Sequence, residues 1–177
     1  MKEIYNKIYS KQSNAWRLRR MPFYKKLASF IYSEDNVIDI GCGNGLLPLI
    51  SKWKTYLGID YSNVAIEQAK KICPKAIFVC DDVFSYIKKN VYYNVAVLTE
   101  FLEHIENDID IINEIKKGAK IIISVPNNET TINGKPTGCR LHLRSYTIET
   151  LAQRYNIIEF KEIFVFLNWI IAVGIKK

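Results

Sequence analysis

Residues 37–45 read Val37-Ile38-Asp39-Ile40-Gly41-Cys42-Gly43-Asn44-Gly45, an apolar, β-branched run interrupted by one carboxylate and feeding directly into three glycines at alternate positions. Glycine adopts backbone angles that other residues avoid, so a strand ending in such a turn can bring its backbone to contact distance of a ligand. A dinucleotide fingerprint, G-x-G-x-x-G, would want a third glycine where Leu46 stands, and no Gly-Lys-Ser/Thr of a phosphate loop follows. Both absences weigh against a pyrophosphate. Asp39, inside the leading strand, points the same way, because its charge would repel a phosphate and suit a cationic or amine-bearing ligand.

Outward from this stretch, short β-branched runs alternate with helical patterns. Strands are expected at Val37–Ile40, Thr55–Ile59, Ala76–Cys80, Val95–Thr99 and Ala119–Val125, with helices at Leu46–Lys52, Asn63–Lys71, Phe84–Lys89 and Ile109–Ile115 between them. That alternation implies an α/β fold with a doubly wound, mostly parallel sheet. After Val125 the pattern changes to a polar loop containing Pro126, Gly134, Pro136 and Gly138, then a helix at Ile148–Tyr155, then two strands separated by a tight turn near Leu167 and Asn168. Strands joined that closely are antiparallel neighbours. Ahead of the first strand, helices are expected at Lys2–Lys11 and Phe23–Tyr32, the second begun by Pro22 where its missing donor costs nothing. With no strand of their own, these helices are expected over the C-terminal edge of the sheet, where open α/β sheets bind ligands. The expected organisation is one domain over residues 1–177, with a helical lid over 1–33 and an α/β core over 36–177.

The 177 residues are 49% hydrophobic and 24% charged, with 8 Gly and 5 Pro, which excludes a disordered, collagen-like or low-complexity chain. The four cysteines, Cys42, Cys73, Cys80 and Cys139, form no C-x-x-C pair, and no apolar signal peptide is evident, so a reducing, cytoplasmic setting is expected. The longest apolar stretch, Ile163–Ile175, is interrupted by Asn168 and falls short of the ~20 residues of a membrane-spanning helix; it reads as two buried strands. The net charge is +7, and all of the excess lies in the first 30 residues, where eight basic side chains face Glu3 alone. Such an arm suits an anionic substrate, nucleic acid or lipid surface, or is a plain solvated helix face.

Two further strands also end in acids. Tyr56-Leu57-Gly58-Ile59-Asp60 places a carboxylate one βα unit after the glycines, where it can accept both hydroxyls of a ribose, and Phe78-Val79-Cys80-Asp81-Asp82-Val83 offers another to an adenine amino group. Each acid alone also reads as a turn or cap residue, Asp82 before the Phe84 helix being a good N-cap candidate. Three such acids at three successive strand ends beside a glycine turn exceed what capping explains.

In these residues the chain resembles the class I S-adenosylmethionine-dependent methyltransferases. The resemblance spans residues 37–177 and is carried by Asp39 to Gly45, Gly58-Ile59-Asp60-Tyr61-Ser62 and Leu102-Glu103-His104-Ile105, with Lys117-Gly118-Ala119 and Val125-Pro126-Asn127 flanking the fifth strand. It implies a Rossmann-like, seven-stranded sheet with an antiparallel last strand, and S-adenosyl-L-methionine as cofactor. It also implies that Gly41, Gly43 and Gly45 line the methionine and ribose portions, Asp60 the ribose hydroxyls, and Asp82 with the Val83 amide the adenine, Asp81 being the other candidate. Asp39, Cys42, Tyr61 and Thr99 complete the expected cofactor-binding set.

Methyl transfer from an activated sulfonium asks the protein mostly for orientation, although an oxygen or nitrogen nucleophile that must lose a proton also wants a base. The only histidines are His104 and His142. On an ideal helix Glu100, Glu103 and His104 fall within an arc of about 100°. His104, Glu103 and His142 are therefore the catalytic candidates. One alternative is that Leu-Glu-His merely organises the strand-to-helix loop; another is a metal cluster of Glu100, Glu103, His104 and His142. E-x-x-E-H with a later histidine is similar to the metal-dependent methyltransferases that modify the 2′-hydroxyl at RNA 3′ ends, although His142-Leu143-Arg144-Ser145-Tyr146-Thr147, with Thr147 capping the next helix, looks more like small-molecule methyltransferases.

The expected function is methylation of oxygen or nitrogen on a small anionic acceptor. RNA 2′-O-methylation and a non-catalytic cofactor-binding subunit are the alternatives. Tyr5, Tyr9, Trp16, Phe23 and Tyr24 form either an aromatic wall or plain packing, and Arg17, Arg19, Arg20, Arg140 and Arg144 are positioned to engage a phosphate or carboxylate. No cap domain is inserted, so the pocket is small or shared with a partner subunit.

Overall fold

A computed structural model of the chain describes residues 2–12, 14–129, 131–132, 135–137, 139 and 141–177, and of residues 14–17, 131, 132 and 135 the backbone alone. The expectations placed on the side chains of Trp16 and Arg17, and on Gly134, Gly138 and Arg140, fall outside the described residues. The strands are β1 (Asn36–Ile40), β2 (Thr55–Asp60), β3 (Ile77–Cys80), β4 (Val95–Thr99), β5 (Lys120–Pro126), β6 (Thr131–Ile132), β7 (Lys135–Pro136), β8 (Ile158–Phe166) and β9 (Trp169–Lys176). The α-helices are α1 (Lys2–Ser10), α2 (Asn14–Ala28), α3 (Leu46–Ile50), α4 (Asn63–Ile72), α5 (Val83–Ile87), α6 (Asp108–Glu114) and α7 (Ile148–Arg154).

Seven strands make one sheet in the order β3-β2-β1-β4-β5-β9-β8. The β1–β2 and β2–β3 pairs are parallel, and β9 runs antiparallel to both β5 and β8. The reversal follows from the hairpin turn at Leu167 and Asn168, with Leu167 at φ 56°, which lays β9 back between β8 and β5. Buried parallel strands read as continuous apolar runs: β1 is buried throughout, and β4 is buried over Val95–Leu98. Two compact units follow one another along the chain, Met1–Val95 and Ala96–Lys177. Among the described residues, no helix is long and apolar enough to cross a membrane.

Four local expectations need correction. Helix α2 does not begin at Pro22 but runs from Asn14 through it to Ala28. An interior proline costs roughly 3 kcal/mol by removing a backbone donor and crowding the preceding turn. The position tolerates it because Pro22 and Leu18, one turn earlier, are both exposed, so water can satisfy the orphaned carbonyl, while Phe23 and Leu27 anchor the helix at 0% exposure. The two terminal strands are not both buried: β9 is, but β8 is the sheet's edge, with only Ile158 buried. The segment expected as a plain polar loop carries the two-stranded ribbon β6–β7. Finally, Glu100 does not share a helix with Glu103 and His104. It sits at φ 51°, its amide donating to the Ser124 carbonyl at 3.0 Å, and only Leu102–His104 form a single 3-10 turn.

Candidate functional site

In the first unit the turn after β1 is the centre of a compact polar arrangement. Gly41, Gly43 and Gly45 all take positive φ, at 75°, 54° and 72°. Asp60, at the tip of β2, braces this turn: its Oδ2 accepts from the Gly43 amide at 3.0 Å and its Oδ1 from the Ser62 amide at 2.9 Å. Burial raises the Asp60 carboxyl above the usual range, opposed by those backbone donors. Each carboxylate oxygen can accept a second hydrogen bond, so Asp60 can brace the turn and still receive ribose hydroxyls. Asp39 is 2% exposed, and its Oδ2 accepts from Tyr56 Oη at 2.5 Å. Its Oδ1 is buried with no hydrogen-bond partner among the described residues. Burial pushes this carboxyl up to about 7, against the Tyr56 hydrogen bond and with help from the Asp60 charge.

Helix α1 lies directly on the turn. Ser62 Oγ donates to Asn6 Oδ1 at 2.6 Å, Asn6 Nδ2 to Asn63 Oδ1 at 2.9 Å, and Gln68 Nε2 to the Tyr9 carbonyl at 3.0 Å. Asn44 Nδ2 reaches Gln12 Oε1 at 2.7 Å, and Tyr5 packs edge-on against Tyr61 with ring centroids 5.3 Å apart. A Cβ on Gly43 would stand 2.8 Å from Tyr9 Oη, and burial, then the Asp60 charge, pushes the Tyr9 phenol well up. The N-terminal helix thus covers the C-terminal ends of β1 and β2. Phe23 is core packing, with Tyr24 edge-on to it at 5.3 Å.

At the end of β3, Asp82 Oδ1 accepts from the Ser85 amide at 3.0 Å and is the N-cap of α5. Asp81 pairs with Lys89 at 2.9 Å, which lowers its carboxyl. Cys42 lies beside the turn, its thiol pushed well up by burial. Val83 is buried. In the second unit Thr99 closes β4, its Oγ1 buried and unpartnered among the described residues.

That unit also gathers Glu103, His104 and His142, with one ligand atom from each lying within 4.8 Å of the others; Glu100 stands outside this group. Glu103 is 0% exposed, and neither of its side-chain oxygens has a hydrogen-bond partner among the described residues. Burial, then the charge of Glu100, pushes its carboxyl well up. His104 Nδ1 meets the Leu141 carbonyl at 3.2 Å, and burial pushes this imidazole down to about 4, keeping it neutral at ordinary pH. The two imidazole rings stand edge to face at 4.7 Å, and His142 Nδ1 contacts Glu129 Oε2 at 2.5 Å. Glu129 was not foreseen, since nothing local in the sequence marks it.

Arg144 is not held out for an anion. It donates to the carbonyls of Leu102 at 2.8 Å, Ile105 at 2.5 Å and Glu106 at 3.2 Å, and stands 3.3 Å from Asp108. The Leu143 amide donates to the Glu103 carbonyl at 2.7 Å. Together these bonds fix the His142 segment against the 3-10 turn. Thr147 caps α7 through a capping box with Thr150.

A turn with left-handed glycines, a braced acid at the next strand tip and an orphaned buried carboxylate oxygen fits a cationic nucleoside. Fold and site together define a class I S-adenosylmethionine-dependent methyltransferase. The chain belongs to the family described as "Methyltransferase domain", whose profile matches residues 12–163. Solved structures agree in fold. A methyltransferase from Haloferax volcanii, in complex with the Trm112 activator, superposes with a TM-score of 0.77 at 12% identity, covering 97% of each chain. The complex of DhpI with S-adenosylhomocysteine gives 0.74 at 12% identity over 98% of this chain and 94% of that one. An S-adenosylmethionine-dependent methyltransferase from Listeria monocytogenes gives 0.66 at 18% identity over 87% and 97%. No curated protein sequence matches the chain.

Proposed function

We propose that this methyltransferase acts on oxygen or nitrogen of a small anionic molecule in a reducing, cytoplasmic compartment, with Asp60 receiving the cofactor's ribose, Asp39 its cationic end, and Asp82 with the Val83 amide its adenine. The bound cofactor supplies an activated methyl group; the chain's own residues orient it and handle the acceptor. The observation that carries the anionic reading is the seating of α1: the helix that covers the cofactor turn bears Lys2 and Lys7, with Lys11 in the turn that follows it, all exposed. Positive charge focused at the mouth of a site raises the local concentration of anions. Four free cysteines, one of them exposed, accord with a reducing compartment. The Glu103, His104 and His142 cluster makes an acceptor O–H or N–H easier to deprotonate, and Glu129 and Arg144 hold its parts in place.

The test is turnover by the purified chain against a panel of carboxylated and phosphorylated metabolites, their neutral analogues and short RNA. Methylation confined to anionic small molecules, and slowed by added salt, supports the reading; methylation of RNA alone, or of neutral analogues equally well, overturns it. The Haloferax neighbour was solved with an activator, so the chain alone is the informative sample.

Asp39 sets a pH dependence. Burial pushes its folded carboxyl up to about 7, well above the usual carboxylate range, so below about pH 7 a cationic ligand must displace a proton before pairing with it. Affinity for S-adenosylhomocysteine is expected to fall with decreasing pH, by up to about tenfold per unit, and Asp39→Asn to flatten that slope. The same shift makes the ligand-free fold lose stability as pH rises from about 4 to 7, because there the folded chain holds a proton that the unfolded chain has released. Calorimetric titrations and melts across that range check both signs.

A further inference from the structure

We infer that the outward face of helix α1 is a docking surface for an anionic lipid membrane, which the chain meets peripherally and reversibly. The two faces of α1 differ in kind. Asn6 is tied to Ser62 and Asn63, Tyr9 presses on Gly43, and Tyr5 packs on Tyr61, so these side chains make the inward face. At about 100° per residue, Ile4, Lys7 and Ile8 fall together within an arc of about 100° on the far side. All three are exposed, Ile4 at 46% and Ile8 at 40%. Lys11 continues the row in the turn that closes the helix, its amide donating to the Ile8 carbonyl at 3.1 Å.

Charge fixes the sign of the partner. The first 30 residues hold eight basic side chains and one acid, while the rest of the chain carries as many acids as bases. Further along the same arm, Arg19 and Lys25 of α2 are exposed, and so is Leu18 beside them, at 70%. Each lysine or arginine held near an anionic bilayer strengthens binding by about fivefold.

The isoleucines fix its kind. Single apolar side chains are ordinary on a protein surface, but here the unit Ile-x-x-Lys occurs twice, at Ile4–Lys7 and Ile8–Lys11, one helical turn apart. A nucleic acid would meet the lysines with phosphate and leave the isoleucines in water. A bilayer answers both: the isoleucines enter the boundary between head groups and acyl chains, and the lysine stems lie along it with their ammonium groups among the lipid phosphates. With 9 residues, α1 is too short to span the hydrocarbon and lies in the plane of the surface. A helix with its side chains is about 10–12 Å across, so a docked α1 holds the cofactor turn beneath it at about that distance from the lipid.

The experiment is co-sedimentation of the full chain with vesicles of phosphatidylcholine alone, and of phosphatidylcholine carrying about 30% phosphatidylserine. Binding to the phosphatidylserine vesicles is expected to be at least about tenfold tighter, and to be released by added salt. Lys7→Gln with Lys11→Gln should weaken it by roughly 10-fold to 30-fold. Ile4→Gln with Ile8→Gln, which keeps the charge and the helix propensity, should weaken it by roughly tenfold. The isoleucine pair faces away from the turn, so this variant should keep the wild-type affinity for S-adenosylhomocysteine, which verifies that α1 stays seated. Equal binding to both kinds of vesicle, or none to either, overturns the inference. So does an isoleucine variant that sediments like wild type, because charge alone, as toward a nucleic acid, then explains the attraction. No methyl transfer is measured, so failure here leaves the proposed acceptor class standing, and a failed acceptor panel leaves the membrane face standing.

Discussion

Replacing Asp60 by alanine is expected to lower the affinity for S-adenosylhomocysteine by roughly two to four orders of magnitude. The carboxylate occupies the tip of β2, where each oxygen already accepts one backbone amide, Gly43 on one side and Ser62 on the other, and each retains a lone pair for a ribose hydroxyl. Hydrogen bonds to a charged acceptor are worth about 1.5–3 kcal/mol apiece. Two of them sum to about 3–6 kcal/mol, and each 1.4 kcal/mol is about a decade in affinity. The alanine variant also frees the Gly43 amide, so the turn loses its brace before any ligand arrives. Asp60→Asn separates the two contributions: its amide keeps one acceptor oxygen and presents an NH₂ group to a backbone donor, so it should fall between wild type and alanine. Calorimetry with all three proteins reads the series directly, and an alanine variant that binds as tightly as wild type would place the ribose away from β2.

Asp60 was legible because everything that defines it is local. Its strand, the glycines and the following helix lie within one βα unit, so its place beside the glycine turn follows from local signals alone. The parallel, doubly wound character of the sheet was legible for the same reason, since alternating β and α segments leave few topologies once crossovers are right-handed. Helix α2 was not, because a proline's preference for the first turn is a weak local rule. Against it stand Phe23 and Leu27, both at 0% exposure, whose burial favours a helix extending in both directions from position 22. Strand β8 reads as buried from Ile163-Phe164-Val165-Phe166, yet its exposure is decided by β9 folding back between it and β5. No window of sequence contains that information. The β6–β7 ribbon did carry a signal, for the dipeptide between its strands is Asn-Gly, the strongest short-range mark of a hairpin.

The second unit's cluster shows the same division more sharply. Glu103 and His104 were placed by an assumed helical period, and the period fails because the Glu100 amide is captured by Ser124, 24 residues away. What the period could not supply, tertiary contacts do. His104 meets the Leu141 carbonyl across 37 residues, and Arg144 reaches back to Leu102 across 42. The histidines were therefore identifiable as candidates by residue type alone, while their tethers, Glu129 and the Leu141 carbonyl, become visible only in the folded chain. Helix α1 is a mixed case: its place over the C-terminal edge was expected because it has no strand of its own, whereas the seating of Tyr9 on Gly43 and of Asn6 on Ser62 appears only in the folded chain.

Gly45→Ala tests the packing on which the cofactor turn depends, and it should destabilise more than the same change at Gly43 or Gly118. Gly45 sits at φ 72°, immediately before α3, in a conformation that costs an L-residue about 1–2 kcal/mol. A methyl there would also stand 2.8 Å from Ala69 Cβ, 3.0 Å from Ala69 Cα and 3.0 Å from Phe78 Cζ. The first two belong to the backbone and stub of α4, which cannot rotate away, so the helix itself must shift, and overpacking of this kind costs about 1–3 kcal/mol more. The total of about 2–5 kcal/mol is a large fraction of a typical domain's stability of about 5–15 kcal/mol. At about 2–4 °C per kcal/mol for a chain of this size, the melting temperature should fall by roughly 4–20 °C. Gly118→Ala supplies the control, because Gly118 has φ 78° but nothing within 4 Å of its added methyl, so it reports the backbone cost alone. Gly43→Ala lies between them: its methyl meets the phenol of Tyr9 at 2.8 Å, a side-chain tip that can swing aside with α1. Melting curves should therefore rank Gly45→Ala below Gly43→Ala below Gly118→Ala. Adding Ala69→Gly should recover part of the loss in Gly45→Ala, beyond what the two changes predict singly, because the removed methyl is the one in collision. If Gly45→Ala melts with Gly118→Ala, α4 does not press on the turn, and the closely packed seat for the cofactor is not there.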